Sequence, residues 1–289
     1  MSVNPHDEVE LALVARCALG ESPVWDTRIN ELVWVDIRGG NVLWWAPGSP
    51  SARELHVGHT VSAIAPRSAG GYIVATRSGF GTVDDKGVFE LIVGVETDLP
   101  QNRMNDGKCD PVGRFWAGTM SETDEPGAGS LYRLNLDRSV TKVVSGVTIS
   151  NGLGWSPDKT VMYYVDSLAH GLDAFDFSVD SGEATARRRL AEIPEELGLP
   201  DGIAVDEQGY IWVALHSGGA VHRYSPEGEL ESRIEIPVAL VTSCAFGGPD
   251  CHDLYITTAV DPERDEPLAG SIFRYRARVG GTAGPLCEN

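Results

Sequence analysis

The chain has 289 residues, 42% hydrophobic and 22% charged, which is enough apolar material for a packed core and too much for a disordered polymer. Its 23 Lys and Arg against 42 Asp and Glu leave a net charge of −19, which repels phosphate backbones and argues against nucleic acid as a partner. No apolar run approaches the roughly 18 residues of a membrane-spanning helix.

Residues 1–8 are polar and acidic, without the basic and apolar stretches of a secretory leader. The five cysteines, Cys17, Cys109, Cys244, Cys251 and Cys287, form no CxxC pair and no cluster with His. The expectation is a cytoplasmic protein with reduced thiols.

A first strand is expected near residues 10–18. Beyond it the chain repeats itself. Runs rich in Val, Ile, Trp, Tyr and Thr at 32–35, 72–75, 114–117, 161–165, 210–213 and 254–257 read as strands. Each follows a turn of similar chemistry, opening at Asp26, Ser68, Asp110, Ser156, Asp206 and Gly248. A second unit of the form Gly-x-apolar-x-Arg-apolar begins at Gly129, Gly219 and Gly270. The charged, Pro-interrupted stretch 187–199 reads as a loop over one face.

A few positions ahead of each turn stands a polar residue: Glu21, Ser62, Asn105, Asn151, Asp201 and Thr242, at separations of 41, 43, 46, 50 and 41. A period of about 40–50 residues with about four short strands per unit marks a β-propeller blade. Six units predict an all-β, six-bladed β-propeller, one domain over residues 1–289, with the N-terminal strand closing the last blade. A β-sandwich of regular hairpins is the alternative, but it needs no six equivalent units.

In a propeller the first strand of each blade lines the central channel, so the six polar positions converge on the axis. Glu21, Asn151 and Asp201 form an oxygen set of two carboxylates and an amide. It suits one hard divalent cation, Ca²⁺, Mg²⁺ or Mn²⁺, with Zn²⁺ accessible through carboxylate oxygen. The competing reading is that these residues bond channel water and loop backbone, with Asn151-Gly152 and Asp201-Gly202 as plain turn dipeptides. Arg103 lies two positions from Asn105, so in extended backbone it faces the channel too. There it binds ligand hydroxyls or forms a salt bridge to Asp106 or a channel carboxylate. Glu122, in an acidic loop, is a substrate contact at the rim or a solvated charge. His170 and His216 read as structural. No Gly-x-Ser-x-Gly elbow supports a serine hydrolase.

Six segments carry a resemblance: Gly20-Glu-Ser-Pro-Val-Trp25, Asn102-Arg-Met-Asn-Asp-Gly-Lys108, Ala117-Gly-Thr-Met120, Ile149-Ser-Asn-Gly-Leu153, Pro200-Asp-Gly202 and Cys244-Ala-Phe-Gly-Gly248. In this order and over nearly the whole chain they resemble the senescence marker protein/gluconolactonase family of regucalcin-like sugar lactonases. The resemblance implies a six-bladed propeller in which Glu21, Asn151 and Asp201 bind one divalent metal. It implies that Arg103 and Asn105 contact a sugar lactone, and that a Glu after the Gly-Thr-Met motif, here Glu122, does so as well. The expected function is metal-dependent hydrolysis of an aldonolactone, with Asp201 as candidate general base as well as ligand, by a monomer or weak oligomer. Two alternatives are hydrolysis of another activated ester, such as an organophosphate, and a calcium-binding regulatory propeller without turnover.

Overall fold

The computed structural model describes residues 9–289, so the leader expectation for residues 1–8 lies outside the described residues. The chain folds into six antiparallel four-stranded sheets, the blades of a propeller. The innermost strands are Gly20–Asp26, Val61–Pro66, Asn102–Cys109, Ser150–Trp155, Leu199–Val205 and Val241–Gly247. They neighbour one another around the axis. The second strands, Glu31–Asp36, Tyr72–Thr76, Phe115–Ser121, Val161–Asp166, Ile211–His216 and Asp253–Thr258, fall on the six predicted runs. Blade 6 takes its outermost strand from the N-terminus: Val9–Leu13 pairs antiparallel with Ile272–Arg276 and closes the ring.

The second strands are apolar on both faces because each packs between neighbouring blades. Val33, Val35 and Val42 of blade 1 meet Ile64 and Val74 of blade 2, and Trp116 of blade 3 meets Tyr164 and Phe175 of blade 4. The repeated turn has a physical cause. Asp110 accepts the Val112 and Arg114 amides at 3.0 and 3.1 Å, and its other oxygen takes Arg114 Nε at 2.6 Å and Trp116 Nε1 at 3.1 Å. Asp206 repeats this with the Gln208 and Tyr210 amides, Trp212 Nε1 at 3.0 Å and the Arg223 guanidinium. A buried carboxylate thus shapes the turn and anchors the tryptophan of the next strand.

Two expectations are corrected. Most of 187–199 is not a loop: Ala184–Glu192 is the outermost strand of blade 4, followed by a 3-10 turn, Glu195–Leu197. Its arginines are charged because that edge strand is solvent-facing, and Arg187 and Arg189 both bind Asp173. The thiols are not all reduced: Cys109 and Cys287, with Cα atoms 5.7 Å apart, form a disulfide, while Cys17, Cys244 and Cys251 are free. This removes the thiol argument for a cytoplasmic setting. The C-terminal residues cross one face of the propeller, bridging Asp206 through Gly281 and Arg67 through Cys287. Among the described residues no helix is long and apolar enough to cross a membrane.

Candidate metal centre and its mouth

Every inner strand breaks its pairing register near its polar residue. The shifts fall between Glu21 and Val24, Val61 and Ala63, Met104 and Gly107, Ser150 and Leu153, Pro200 and Ile203, and Val241 and Ser243. A bulge puts extra residues into one strand and re-aims their side chains. Glu21, Ser62, Asn105, Asn151, Asp201 and Thr242 are all buried as a result.

Gly152 and Gly202 lie inside strands, not in turns. A Cβ on Gly152 would stand 2.6 Å from the Asp201 carbonyl oxygen, and one on Gly202 would stand 2.0 Å from Ser243 Oγ. These glycines let neighbouring inner strands approach at the narrow axis.

Hydrogen bonds tie the ring together. Asn105 Nδ2 donates to Asn151 Oδ1 at 3.0 Å and to the Ser150 carbonyl at 2.9 Å. Asn151 Nδ2 donates to Ser167 Oγ at 2.8 Å, which in turn donates to the Pro200 carbonyl at 2.6 Å. These bonds fix the Asn151 amide. Glu21 Oε2 accepts the Ser22 amide at 2.7 Å, and Asp201 Oδ1 is buried with no hydrogen-bond partner.

Burial, and then repulsion from Asp106, push the Glu21 carboxyl up to about 8. Asp201 is raised by burial, then by the charges of Glu21 and Asp106. Buried carboxylates that raise one another, beside an orphaned oxygen, are an arrangement that a cation would stabilise. Among the described residues no three His, Cys, Asp or Glu side chains make a compact metal cluster. The third donor here is the Asn151 amide, and an all-oxygen set of this kind fits a hard divalent ion.

Arg103 Nη1 donates to Asn105 Oδ1 at 2.7 Å and to the Met104 carbonyl at 3.0 Å. Its charge is felt by Glu21 and Asp201, but it forms no salt bridge to Asp106 or to another carboxylate among the described residues. Glu122 is exposed in the loop after Ser121 and paired with Arg77, which holds its carboxyl below the usual range with a smaller pull from Arg103. His216 ends the second strand of blade 5, where burial lowers its pKa. His170 follows the Ser167–Ala169 turn with Nδ1 buried and unpartnered.

Sequence reading gave Asp106 only a possible salt bridge to Arg103 and gave Lys108 no role. Asp106 is buried and raised by burial, and Lys108 crosses the channel to donate to the Ile203 carbonyl at 2.6 Å. Beyond Lys108, at the far end of the channel, lies a cavity of about 310 Å³ walled by Trp25, Trp155, Phe246 and Pro285. Ser22 and Asp106 also line it, but it reaches none of Glu21, Asn151 or Asp201.

Residues 19–260 match the protein family described as the SMP-30/Gluconolactonase/LRE-like region. Regucalcin of Xenopus laevis is 38% identical over 280 residues, covering 92% of this chain and 93% of the relative. The solved structure of a luciferin-regenerating enzyme superposes with a TM-score of 0.91 at 33% identity, covering 97% of this chain and 99% of that one. A calcium-binding protein, regucalcin, from Agrobacterium tumefaciens superposes with a TM-score of 0.91 at 31% identity, covering 96% of each chain.

Proposed function

The chain belongs to the SMP-30/gluconolactonase/LRE-like family, and from that premise we propose that it is a divalent-metal-dependent lactonase that opens a sugar lactone to its aldonic acid. The observation that carries the proposal is the buried, unpartnered Asp201 Oδ1 in a ring with Glu21, Asn151 and Asn105. Glu21, Asn151 and Asp201 would hold the ion, drawn from Ca²⁺, Mg²⁺, Mn²⁺ and Zn²⁺. Once bound, the ion supplies Lewis-acid polarisation of the lactone carbonyl.

The remaining roles fall to side chains of this chain. Asp201 is the candidate base for the attacking water as well as a ligand. Arg103, held through one nitrogen by Asn105 and the Met104 carbonyl, keeps the rest of its fork for sugar oxygens. Asn105 sets both Arg103 and Asn151, so it couples substrate position to ligand position. Glu122 reaches the substrate from the rim while paired with Arg77. In this reading residues 1–289 are one propeller domain acting on a small molecule.

A second reading is favoured by the calcium-binding description of the Agrobacterium relative: a propeller that binds calcium without turnover. A pH-release assay over five- and six-membered sugar lactones, on apoprotein with each metal restored in turn, separates the two. Metal-restored acid release supports the lactonase. Tight calcium binding with no release from any lactone leaves the second reading. Asp201→Asn then divides the roles: retained metal with collapsed turnover supports the base, and lost metal supports the ligand alone.

A further inference from the structure

Each of the three proposed donors follows a peptide whose carbonyl oxygen is held from the neighbouring blade. The Ser150 carbonyl, just before Asn151 on blade 4, accepts Asn105 Nδ2 of blade 3 at 2.9 Å. The Pro200 carbonyl, just before Asp201 on blade 5, accepts the Ser167 hydroxyl of blade 4 at 2.6 Å. The Gly20 carbonyl, just before Glu21 on blade 1, accepts the Thr242 hydroxyl of blade 6 at 2.5 Å. In every case the holding group belongs to the preceding blade around the ring, and all three groups are buried. The other three ring positions differ. Among the described residues no side chain of another blade bonds the carbonyls of Val61, Met104 or Val241, which precede Ser62, Asn105 and Thr242; the Met104 carbonyl takes Arg103 of its own strand. Ser62 turns its hydroxyl to the Ala75 carbonyl within blade 2 at 3.3 Å. The cross-blade bond therefore follows the donors, not the repeat.

The consequence lies in the peptide plane. A carbonyl oxygen shares one rigid plane with the next residue's nitrogen and Cα, so gripping the oxygen sets where the next side chain starts. These peptides need a grip because the inner strand leaves its regular pairing there: the register shifts begin at Glu21, Ser150 and Pro200, and a bulged strand is not held by a continuous ladder. Ser167 also accepts Asn151 Nδ2 at 2.8 Å, so one hydroxyl ties the aim of Asn151 to that of Asp201. Thr242 is backed by the Thr257 hydroxyl at 2.9 Å.

Resting on the metal site proposed above, we infer that Ser167 and Thr242 join Asn105 as positioning residues of the metal centre. Each sets the peptide that aims one donor, and together they hold three donors from three blades at the spacing one ion requires. Groups that orient metal ligands without touching the ion are worth about 10–100-fold in affinity.

The test titrates the apoprotein with Mn²⁺ and follows the free ion by electron paramagnetic resonance, with a thermal melt to show that each variant is folded. Ser167→Ala and Thr242→Val each delete one hydroxyl and are expected to weaken binding about tenfold. Thr242→Ser keeps the hydroxyl and is expected to keep the parent's affinity. Thr258→Val is the matched control: Thr258 is as buried as Thr242, but its hydroxyl bonds the Ser271 carbonyl of its own blade at 2.8 Å. Its loss should lower the melting temperature as the other two do and leave Mn²⁺ affinity unchanged. If Ser167→Ala or Thr242→Val binds Mn²⁺ as tightly as the parent, if Thr258→Val weakens binding as much as they do, or if Thr242→Ser loses the affinity too, the inference falls and the metal site stands. If the parent apoprotein takes up no Mn²⁺, the metal reading falls and the inference with it.

Discussion

Replacing Gly152 with alanine tests the packing of the axis against its chemistry. The new Cβ would stand 2.6 Å from the Asp201 carbonyl oxygen, 2.7 Å from Ile203 Cγ2 and 3.0 Å from Ile203 N. Two of these atoms are backbone, so no rotamer change relieves the overlap. The strand Leu199–Val205 must retreat by roughly half an ångström or more, and Asp201 moves with it. Overpacking of this kind costs about 1–3 kcal/mol, a fall in Tm of roughly 2–10 °C for a chain of this size. A donor displaced by that amount should weaken metal binding and kcat/KM about tenfold to a hundredfold. Scanning calorimetry reads the first effect, and calcium titration calorimetry with lactone kinetics reads the second. Gly284→Ala is the control, because its Cβ would meet only Val24 Cγ2 at 4.0 Å. A Gly152→Ala protein with the parent's melting temperature, metal affinity and turnover would refute the claim that the inner strands are pressed together beside Asp201.

Asp206→Ala strips Arg223, Trp212 and two backbone amides of a buried acceptor. The expected loss is about 3 kcal/mol in urea unfolding, at the low end for a broken buried pair because Glu231 still holds Arg223; a loss below about 1 kcal/mol would mean the carboxylate does not hold blade 5. His222 is buried with Nε2 unpartnered and its pKa pushed down to about 4. The unfolded chain, near 6.5, takes the proton first, so stability is full above about pH 6.5 and falls as the pH drops through 4. The eventual loss is roughly 3 kcal/mol. Unfolding curves of the parent and His222→Phe should converge over that window, and parallel curves would show that His222 is not the group. Asn105→Ala removes the donor to Asn151 Oδ1, so metal affinity should fall about tenfold while KM rises. Unchanged metal affinity would confine Asn105 to the substrate.

The propeller was readable because each blade repeats a polar residue, an apolar run and an Asp- or Gly-bearing turn. The ring positions Glu21, Asn151 and Asp201 stood out for the same reason: a charge or amide at the head of an apolar strand has no local purpose. What escaped did so on physical grounds. Strict alternation put Arg103 and Asn105 on one face, but the bulge between Met104 and Gly107 turns Asp106 inward as well, and a bulge has no fixed sequence signature. Lys108 reads as an ordinary strand lysine until its reach to Ile203 across the channel is seen. Cys109 and Cys287 are 178 residues apart, and only the crossing of the C-terminal segment brings them together. The Gly after Asn151 and Asp201 resembled a turn signal because close approach of distant strands selects the same residue that a turn does.

The most direct measurement is anomalous diffraction from crystals of the protein grown with Mn²⁺. The account predicts a single strong peak on the channel axis, within about 2.6 Å of oxygens from Glu21, Asn151 and Asp201, that disappears when crystals are washed with chelator. A hub without a peak in crystals that hold manganese elsewhere, or those three side chains turned away from a common point, would contradict it.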